Sequence, residues 1–228
     1  MPSSHKNYTI LLLMLVFFSC NDKQTTTDHG NPTIIHEDII EEDIDGNYNN
    51  IGRAIWQKPG LVIDKLGDLS DKVVVDLGAG TGYFSLRLAM LSKKVIAIEI
   101  EPGLIKYIDS TKAKLPKDKR EILETRLAKQ DNPYLKDGEA DIILIINTIA
   151  YIDNLPSYLK VLKKGLSAHG TLMIIDYKMK KLPIHAPPKT ERIYLDKLED
   201  LLAEAGYNEI QTDDTSLDYQ YIIQAKKD

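Results

Sequence analysis

The segment from Val73 to Phe84 constrains the fold of this chain more than any other part of the sequence. A run of valines favours a strand that is covered on both faces. The strand ends near Asp76, and Gly78, Gly80 and Gly82 follow at every second position. Glycine permits backbone torsions that other residues avoid and lets a ligand approach the main chain closely. The segment therefore predicts a buried strand, a ligand-binding turn and a helix that begins with free backbone N–H groups.

Glycine-rich turns of this kind occur in two classes of nucleotide-binding enzyme, and glycine spacing separates them. A dinucleotide-binding turn has a third glycine or alanine three places after the second. That place holds Tyr83 or Ser85 here, depending on which glycine pair begins the count. An acid two residues before three alternating glycines instead resembles motif I of class I S-adenosylmethionine (SAM) methyltransferases. The resemblance implies that a loop around the methionine half of SAM is formed by Asp76, Gly78, Ala79, Gly80 and Gly82. A tight turn without a ligand is the alternative.

Residues 94–101 have the pattern of a second strand that ends in acids, about twenty residues past the glycines. A carboxylate at this place can accept two hydrogen bonds from a ribose diol. In the methyltransferase family the acid at the end of this strand does so, and the matching residue is Glu99. We therefore expect Glu99 and its neighbour Ile100 to bind the cofactor. Glu101 is expected to be a solvated residue at the start of the next helix.

The rest of the chain alternates strands and helices. Further strands are predicted at 121–128, 141–147 and 171–177, helices at 102–109, 155–166 and 191–205, and an antiparallel hairpin from 209–212 and 219–225. This order predicts an α/β fold with a Rossmann-like, doubly wound and mostly parallel seven-stranded sheet. The antiparallel C-terminal strand is the one that class I methyltransferases add to the Rossmann pattern.

Further motifs extend the resemblance over most of residues 53–221. Residues 53–59 are similar to the Arg-x-x-Trp-Gln-x-Pro motif of a group of small bacterial methyltransferases of unassigned substrate. That group also has an Asp-x-Pro turn, a strand ending in Asn-Thr, a strand with Asp-Tyr-Lys and a C-terminal Gln-Tyr pair, which here are 131–133, 147–148, 175–178 and 220–221.

The same resemblance assigns roles to single residues of these motifs. Asp131, or the neighbouring backbone at Asn132, would meet the adenine amino group. Asn147 would lie under the methionine portion, unless it is a simple strand cap. Trp56 and Gln57 would help to cover the cofactor, although Trp56 could equally be a helix-packing aromatic.

No catalytic residue can be assigned from the sequence. The group often has a histidine three residues after the asparagine of the fourth strand, and this chain has Ala150 there. Tyr151 and His185 are the alternatives, although a core or rim aromatic and a surface histidine are simpler interpretations. Methyl transfer from SAM depends mainly on alignment and exclusion of water, so a missing base does not exclude activity. The His and Cys spacing predicts no metal site.

The N-terminal segment is similar to a bacterial lipoprotein signal. Lys6 precedes the apolar run from Ile10 to Phe18. As a helix this run would span about 14 Å, too short for a bilayer core of about 30 Å. Cys20, the single cysteine, follows directly, so the resemblance implies a signal peptide at 1–19 and lipidation of Cys20. The alternative is an incidental cysteine in a leader. Residues 20–48 are predicted to be a flexible tether and 49–228 the methyltransferase domain, anchored to a membrane of the bacterial cell envelope.

Together these features predict a lipid-anchored SAM-dependent methyltransferase that acts on a small-molecule acceptor or on an exposed group. The formal net charge of −5 disfavours a nucleic-acid partner. A SAM- or nucleoside-binding protein without turnover is the second interpretation, favoured by Ala150 and by export away from the cytosol, where SAM is made. A nicotinamide oxidoreductase is disfavoured by the glycine spacing and by the lack of a Tyr-x-x-x-Lys pair after the fourth strand.

Overall fold

The structure is a computed structural model that describes residues 52–228. The predicted signal peptide, Cys20, the tether and the domain boundary at residue 49 lie outside the described residues. Within residues 52–228 the strands are β1 (Val73–Leu77), β2 (Lys94–Glu99), β3 (Leu123–Leu127), β4 (Ala140–Ile146), β5 (Leu166–Tyr177), β6 (Asn208–Asp213) and β7 (Gln220–Lys226). The helices are α1 (Arg53–Gln57), α2 (Pro59–Asp64), α3 (Tyr83–Leu91), α4 (Pro102–Lys112), α5 (Lys117–Arg120), α6 (Leu155–Gly165) and α7 (Leu195–Glu204), with 3-10 turns at Ile149–Tyr151 and Lys189–Glu191.

The seven strands form one sheet in the order β3-β2-β1-β4-β5-β7-β6. Neighbours from β3 to β5 are parallel, and β7 runs antiparallel to both β5 and β6. The strand order reverses between β1 and β4, which is the topological switch point where open α/β sheets bind ligands. The predicted fold class, including the C-terminal hairpin and its antiparallel strand, is confirmed.

Both faces of the sheet are buried, which explains why the central strands are almost continuously apolar. Alternate residues of β4 point to opposite faces: Ile143 and Ile145 pack with α6 and α7, whereas Ile142 and Leu144 belong to the core on the α3 side. No helix among residues 52–228 has both the length and the apolar character needed to cross a bilayer.

The boundaries of several elements differ from the sequence prediction. Helix α6 ends at Gly165 and β5 begins at Leu166, five residues before the predicted strand, because Leu166 pairs with Ala140 of β4. A register shift within β4 and β5 accommodates the extra residues. Helix α7 starts at Leu195 instead of residue 191, since Lys189–Glu191 forms a separate 3-10 turn.

Candidate active site

The glycine-rich turn after β1 adopts left-handed backbone at three glycines, with φ of 76° at Gly78, 58° at Gly80 and 82° at Gly82. The N–H groups of Gly78 and Ala79 both donate to the carbonyl of Ile98, at 2.9 and 3.0 Å, and tie the turn to β2. The predicted glycine positions therefore need glycine for a physical reason: other residues rarely adopt these torsions.

Two of these glycines differ in how much room surrounds them. A Cβ at Gly78 would lie 2.4 Å from Oγ1 of Thr148, which follows β4. At Gly80, apart from its two chain neighbours, no heavy atom of residues 52–228 lies within 4 Å of the corresponding position. Gly78 therefore permits close packing of β1 against the end of β4, whereas Gly80 leaves open space beside the turn.

A cavity of about 330 Å³ opens at the carboxyl ends of β1, β2 and β4. We call it the cofactor cavity. Its volume suits a small-molecule site, and its place is the one expected for a ligand in this topology. Its walls come from the glycine-rich turn, the end of β2, the segment after β3 and the turn after β4: Leu77, Gly78, Ile98, Glu99, Ile100, Ala128, Lys129, Gln130, Thr148, Tyr151, Ile152 and Tyr158.

Glu99 lies in this wall with its side chain buried, as the sequence predicted for a cofactor-binding acid. Its Oε2 accepts a hydrogen bond of 2.9 Å from the Gly80 N–H, and its Oε1 accepts from the N–H groups of Ile100 and Glu101 at 2.7 and 3.2 Å. A carboxylate offers about four acceptor positions. Glu99 therefore shapes the turn and retains capacity for a ligand hydroxyl. Ile100 is exposed at the cavity wall.

Asp76, the acid before the glycines, is buried at the end of β1 and does not line the cofactor cavity. Its Oδ2 accepts a hydrogen bond of 2.5 Å from the hydroxyl of Ser85 in α3. Burial raises the pKa of Asp76 to about 6, while the Ser85 hydrogen bond and the charge of Arg53 lower it. Asp76 thus holds the start of α3 to β1 from beneath the turn.

Asn147 and Gln57, which are 90 residues apart in the chain, are joined through Gln220 of β7. The Gln220 amide donates to Oδ1 of Asn147 at 2.5 Å, and the Gln57 amide donates to Oε1 of Gln220 at 3.0 Å. Gln57 and Gln220 are fully buried. Arg53 Nε completes the series with a 2.5 Å hydrogen bond to Oε1 of Gln57. We call these four residues the amide relay.

The amide relay continues into aromatic contacts that cover the turn. The Arg53 guanidinium lies 4.1 Å from the centre of the Tyr83 ring, at the start of α3. Trp56 is 7% exposed, and its ring centre lies 6.2 Å from that of Tyr177. Helix α1 therefore lies against the carboxyl end of the sheet, and Trp56 is packed there as a buried aromatic.

The loop after β3 places different residues at the cavity from those named by the sequence. Lys129 and Gln130 line the cavity, whereas Asp131 and Asn132 are exposed and do not. Asn132 instead accepts a hydrogen bond of 2.8 Å from the Tyr134 N–H through its side-chain oxygen. The adenine-binding role of Asp131 and Asn132 stays a prediction. Gln130 had no motif that could have identified it.

Asp176, at the carboxyl end of β5, has a buried carboxyl group to which the sequence assigned no role. Its Oδ1 accepts a hydrogen bond of 2.6 Å from the Tyr177 N–H, and Oδ2 has no hydrogen-bond partner among the described residues. Burial raises its pKa to about 6, against the opposing effects of the Tyr177 and Ala150 N–H groups and the Arg192 charge. A buried carboxylate of this kind is energetically costly, so it identifies a position under constraint.

The three positions considered for a base lie in different surroundings. Tyr151 is half-exposed and lines the cofactor cavity, and burial raises its pKa. Ala150 is part-buried and faces a second cavity on the other side of the 3-10 turn. His185 is exposed and lines neither cavity. In the part of the chain that the structure describes, no group of three or more His, Cys, Asp or Glu side chains could hold a metal ion.

Comparison with known sequences identifies the family. Residues 68–225 match the profile of the methyltransferase domain family. A protein of Dictyostelium discoideum that is named as a methyltransferase is 31% identical over 139 residues, which cover 61% of this chain and 49% of that protein. Ribosomal RNA small subunit methyltransferase A of Leuconostoc citreum is 27% identical over 109 residues, 46% of this chain and 36% of that protein. The chain thus spans about half or less of the length of the curated relatives it matches.

Solved structures share the same fold. A SAM-dependent methyltransferase from Aquifex aeolicus aligns with a TM-score of 0.70 at 21% identity, covering 84% of this chain and 98% of that one. The [4+2]-cyclase SpnF aligns with a TM-score of 0.64 at 14% identity, covering 77% and 82%. With its matched profile, the chain belongs to the methyltransferase domain family, and its fold is shared with a SAM-dependent methyltransferase. The predicted enzyme class and its cofactor, SAM, are confirmed at this level.

Proposed function

We propose that this chain is a membrane-anchored methyltransferase that moves a methyl group from SAM to a small-molecule acceptor. The observation that carries the proposal is the cofactor cavity, in which the glycine-rich turn and Glu99 meet the turn after β4. The left-handed glycines leave backbone and open space for a ligand, and a buried carboxylate remains able to accept from a hydroxyl. These features fit an adenosyl group with an attached amino acid.

The residues of the chain have separate tasks in this proposal. Bound SAM supplies a methyl group on a positively charged sulfur, which needs no further activation. Glu99 orients the ribose, and the turn from Gly78 to Gly82 approaches the amino-acid portion. The amide relay fixes Asn147, and Trp56 with Tyr177 excludes water from this end of the sheet. Alignment and exclusion of water supply the largest share of catalysis for such a transfer.

A small acceptor is favoured over RNA by charge. The relatives named as ribosomal RNA methyltransferases match only part of this chain and part of their own length. The chain has 34 acidic and 29 basic residues. Because binding to a polyanion depends on neutralising phosphates, an acidic chain is poorly suited to it.

Titration calorimetry of SAM and NADH into the full-length protein tests the cofactor assignment. We expect SAM to bind and NADH to show no saturable heat. Release of S-adenosylhomocysteine in the presence of pooled small metabolites, and none with a ribosomal RNA fragment, is the expected activity result. Saturable NADH binding without SAM binding would contradict the assignment, and methylation of RNA alone would contradict the small acceptor.

Binding without turnover is the second candidate function. Ala150 leaves the turn after β4 without an imidazole, and a protein described as a [4+2]-cyclase uses the same fold. SAM binding with no release of S-adenosylhomocysteine across acceptor pools of all charges would favour this candidate over methyl transfer.

The membrane anchor is proposed on the sequence at Cys20 alone, which lies outside the described residues. Two or more acyl chains, each contributing about 0.8 kcal/mol per buried CH₂, give stable attachment. We expect labelled fatty acid to be incorporated into the intact chain and not into Cys20→Ala, whose precursor should remain uncleaved. Label in the alanine variant would show that the lipoprotein assignment is wrong.

A further inference from the structure

A second cavity of about 670 Å³ lies beside the cofactor cavity. The two share Ile152, and the 3-10 turn Ile149–Tyr151 stands between them, with Tyr151 in the wall of the first and Ala150 in the wall of the second. The opposite wall of the second cavity comes from the segment before α7 and from the first turns of that helix. Because both cavities are lined by Ile152, a molecule held in the second cavity can reach the cofactor cavity past the end of the 3-10 turn.

The lining of the second cavity combines an apolar floor with a basic rim. Ile149, Leu155 and Leu201 contribute apolar surface. Lys189, Arg192 and Lys197 line the cavity together with Glu191, so this lining carries a formal excess of two positive charges. The complete chain has a net charge of −5. The local excess of cations therefore opposes the general charge of the protein and favours an anion at this place.

Arg192 is held in position before any ligand binds. Its Nε donates to the carbonyl of Pro187 at 2.7 Å, and its Nη1 donates to the carbonyls of Lys178 and Lys180 at 2.9 Å each. A guanidinium fixed by the backbone loses little entropy when it pairs with an anion. Lys189 and Lys197 are exposed and add charge around this fixed cation.

We propose that the second cavity binds the methyl acceptor, and that the acceptor is a small amphipathic carboxylate. This rests on the proposed function. Its apolar part lies on the floor, and its carboxylate lies between the cations of the opposite wall and Ile152, which follows the 3-10 turn and lines both cavities. A carboxylate oxygen forms the new bond to the methyl carbon as the sulfur–methyl bond breaks, and the electron pair of that bond stays on sulfur. No proton is transferred, so a carboxylate acceptor is compatible with Ala150 in place of a base.

Octanoate, octylammonium and 1-octanol make a matched set of probes, since they differ mainly in the head group. Binding to the full-length protein is measured by calorimetry, with and without SAM. We expect octanoate to bind at least about fivefold more tightly than either of the others, because the lining has two more cations than anions. We also expect S-adenosylhomocysteine release with octanoate. Equal binding of the three probes, or tighter binding of octylammonium, overturns the proposal.

The double variant Lys189→Glu/Lys197→Glu tests the site itself. Both side chains are exposed, so the fold should be retained. Lys106→Glu/Lys117→Glu makes the same change of net charge on other exposed surface and serves as control. We expect octanoate affinity to fall by about tenfold or more in the first variant and to stay within about twofold in the control.

SAM affinity separates failure of this proposal from failure of the proposed function. It should be unchanged in both double variants. Normal SAM binding with no octanoate binding, or with equal octanoate loss in both variants, overturns the acceptor site and leaves the cofactor assignment intact. Octanoate binding without SAM binding contradicts both the proposed function and the role of the cavity as an acceptor site.

Discussion

Glu99 Oε2 accepts a 2.9 Å hydrogen bond from the backbone N–H of Gly80, and this bond joins the end of β2 to the middle of the glycine-rich turn. The acid and the turn are therefore one structural unit. A ligand that contacts the turn on one side and the carboxylate on the other meets two groups whose positions are already fixed. Such preorganisation lowers the entropic cost of binding.

Loss of the Glu99 carboxylate should weaken SAM binding. In Glu99→Ala the ligand loses one charged hydrogen bond of about 1.5–3 kcal/mol, which corresponds to about 10- to 100-fold in affinity. Glu101→Ala is the control, because Glu101 is exposed two residues later. Calorimetry with both folded variants measures the difference. Equal SAM affinities in the two would remove Glu99 from the site.

Alanine at Gly78 and at Gly80 should have different consequences. At Gly78 the new Cβ would lie 2.4 Å from Thr148, so this variant should lose several kcal/mol of the free energy of unfolding. At Gly80 there is room, and the cost is the left-handed backbone, about 1–2 kcal/mol. Gly80→Ala should therefore fold. It should bind SAM weakly, because the new methyl group would occupy the open space beside the turn that SAM approaches. Urea unfolding and calorimetry distinguish the two; a fully active Gly80→Ala would contradict the close approach of SAM to this turn.

Gln220→Leu should destabilise the protein and impair cofactor binding together. The change leaves the Gln57 amide and the Asn147 oxygen without the partner seen in the structure, at about 1–3 kcal/mol each. Gln224→Leu, on the same strand, removes one hydrogen bond to the Lys65 carbonyl and should cost about 1 kcal/mol. Denaturant midpoints and SAM affinities of the two variants give the comparison. Equal denaturant midpoints and equal SAM affinities in the two variants would show that the amide relay contributes neither to stability nor to cofactor binding beyond a single hydrogen bond.

The two buried carboxyl groups predict that stability falls as pH rises. Burial raises the pKa of Asp76 and of Asp176 to about 6, above the usual 3.8. Between these values the folded protein binds more protons than the unfolded chain. The free energy of unfolding should therefore decrease as pH rises from about 4 to about 6 and remain lower above that range.

Asp176→Asn should remove the part of this dependence that comes from β5. The variant's free energy of unfolding should exceed that of the unaltered protein by about 2 kcal/mol more at pH 7.5 than at pH 4.5. Asp200→Asn, on the exposed surface of α7, provides the control. Glu139 makes the free energy of unfolding increase with pH, but only at lower pH, since the hydrogen bond from Arg126 lowers the pKa of Glu139 to about 2. A gain independent of pH would show that Asp176 does not titrate in this way.

Local patterns in the sequence were sufficient for the sheet and for the places of Gly78 and Glu99 in the wall of the cofactor cavity. The spacing of Asp76, the glycines and Glu99 depends on neighbouring residues along two adjacent strands, so it can be read from short segments. The hydrogen-bond partner of Gln57 cannot be read from a short segment, because Gln220 lies 163 residues away and no local pattern identifies it. Lys129 and Gln130 line the cavity in place of Asp131 for a similar reason: the shape of the loop after β3 decides which side chain points inward. The early start of β5 depends on the register with β4, which also lies outside any local window.

The amide relay makes the site depend on both ends of the described chain. Arg53 and Gln57 belong to its first helix, and Gln220 belongs to its last strand. Contacts of such large sequence separation form late, because a long loop must close before they contribute. A chain still on the ribosome, or cut before β7, has the glycine-rich turn and Glu99 but lacks the residue that holds Asn147. If Asn147 contributes to the cofactor site as proposed, SAM should bind and stabilise the domain only after β7 has joined the sheet.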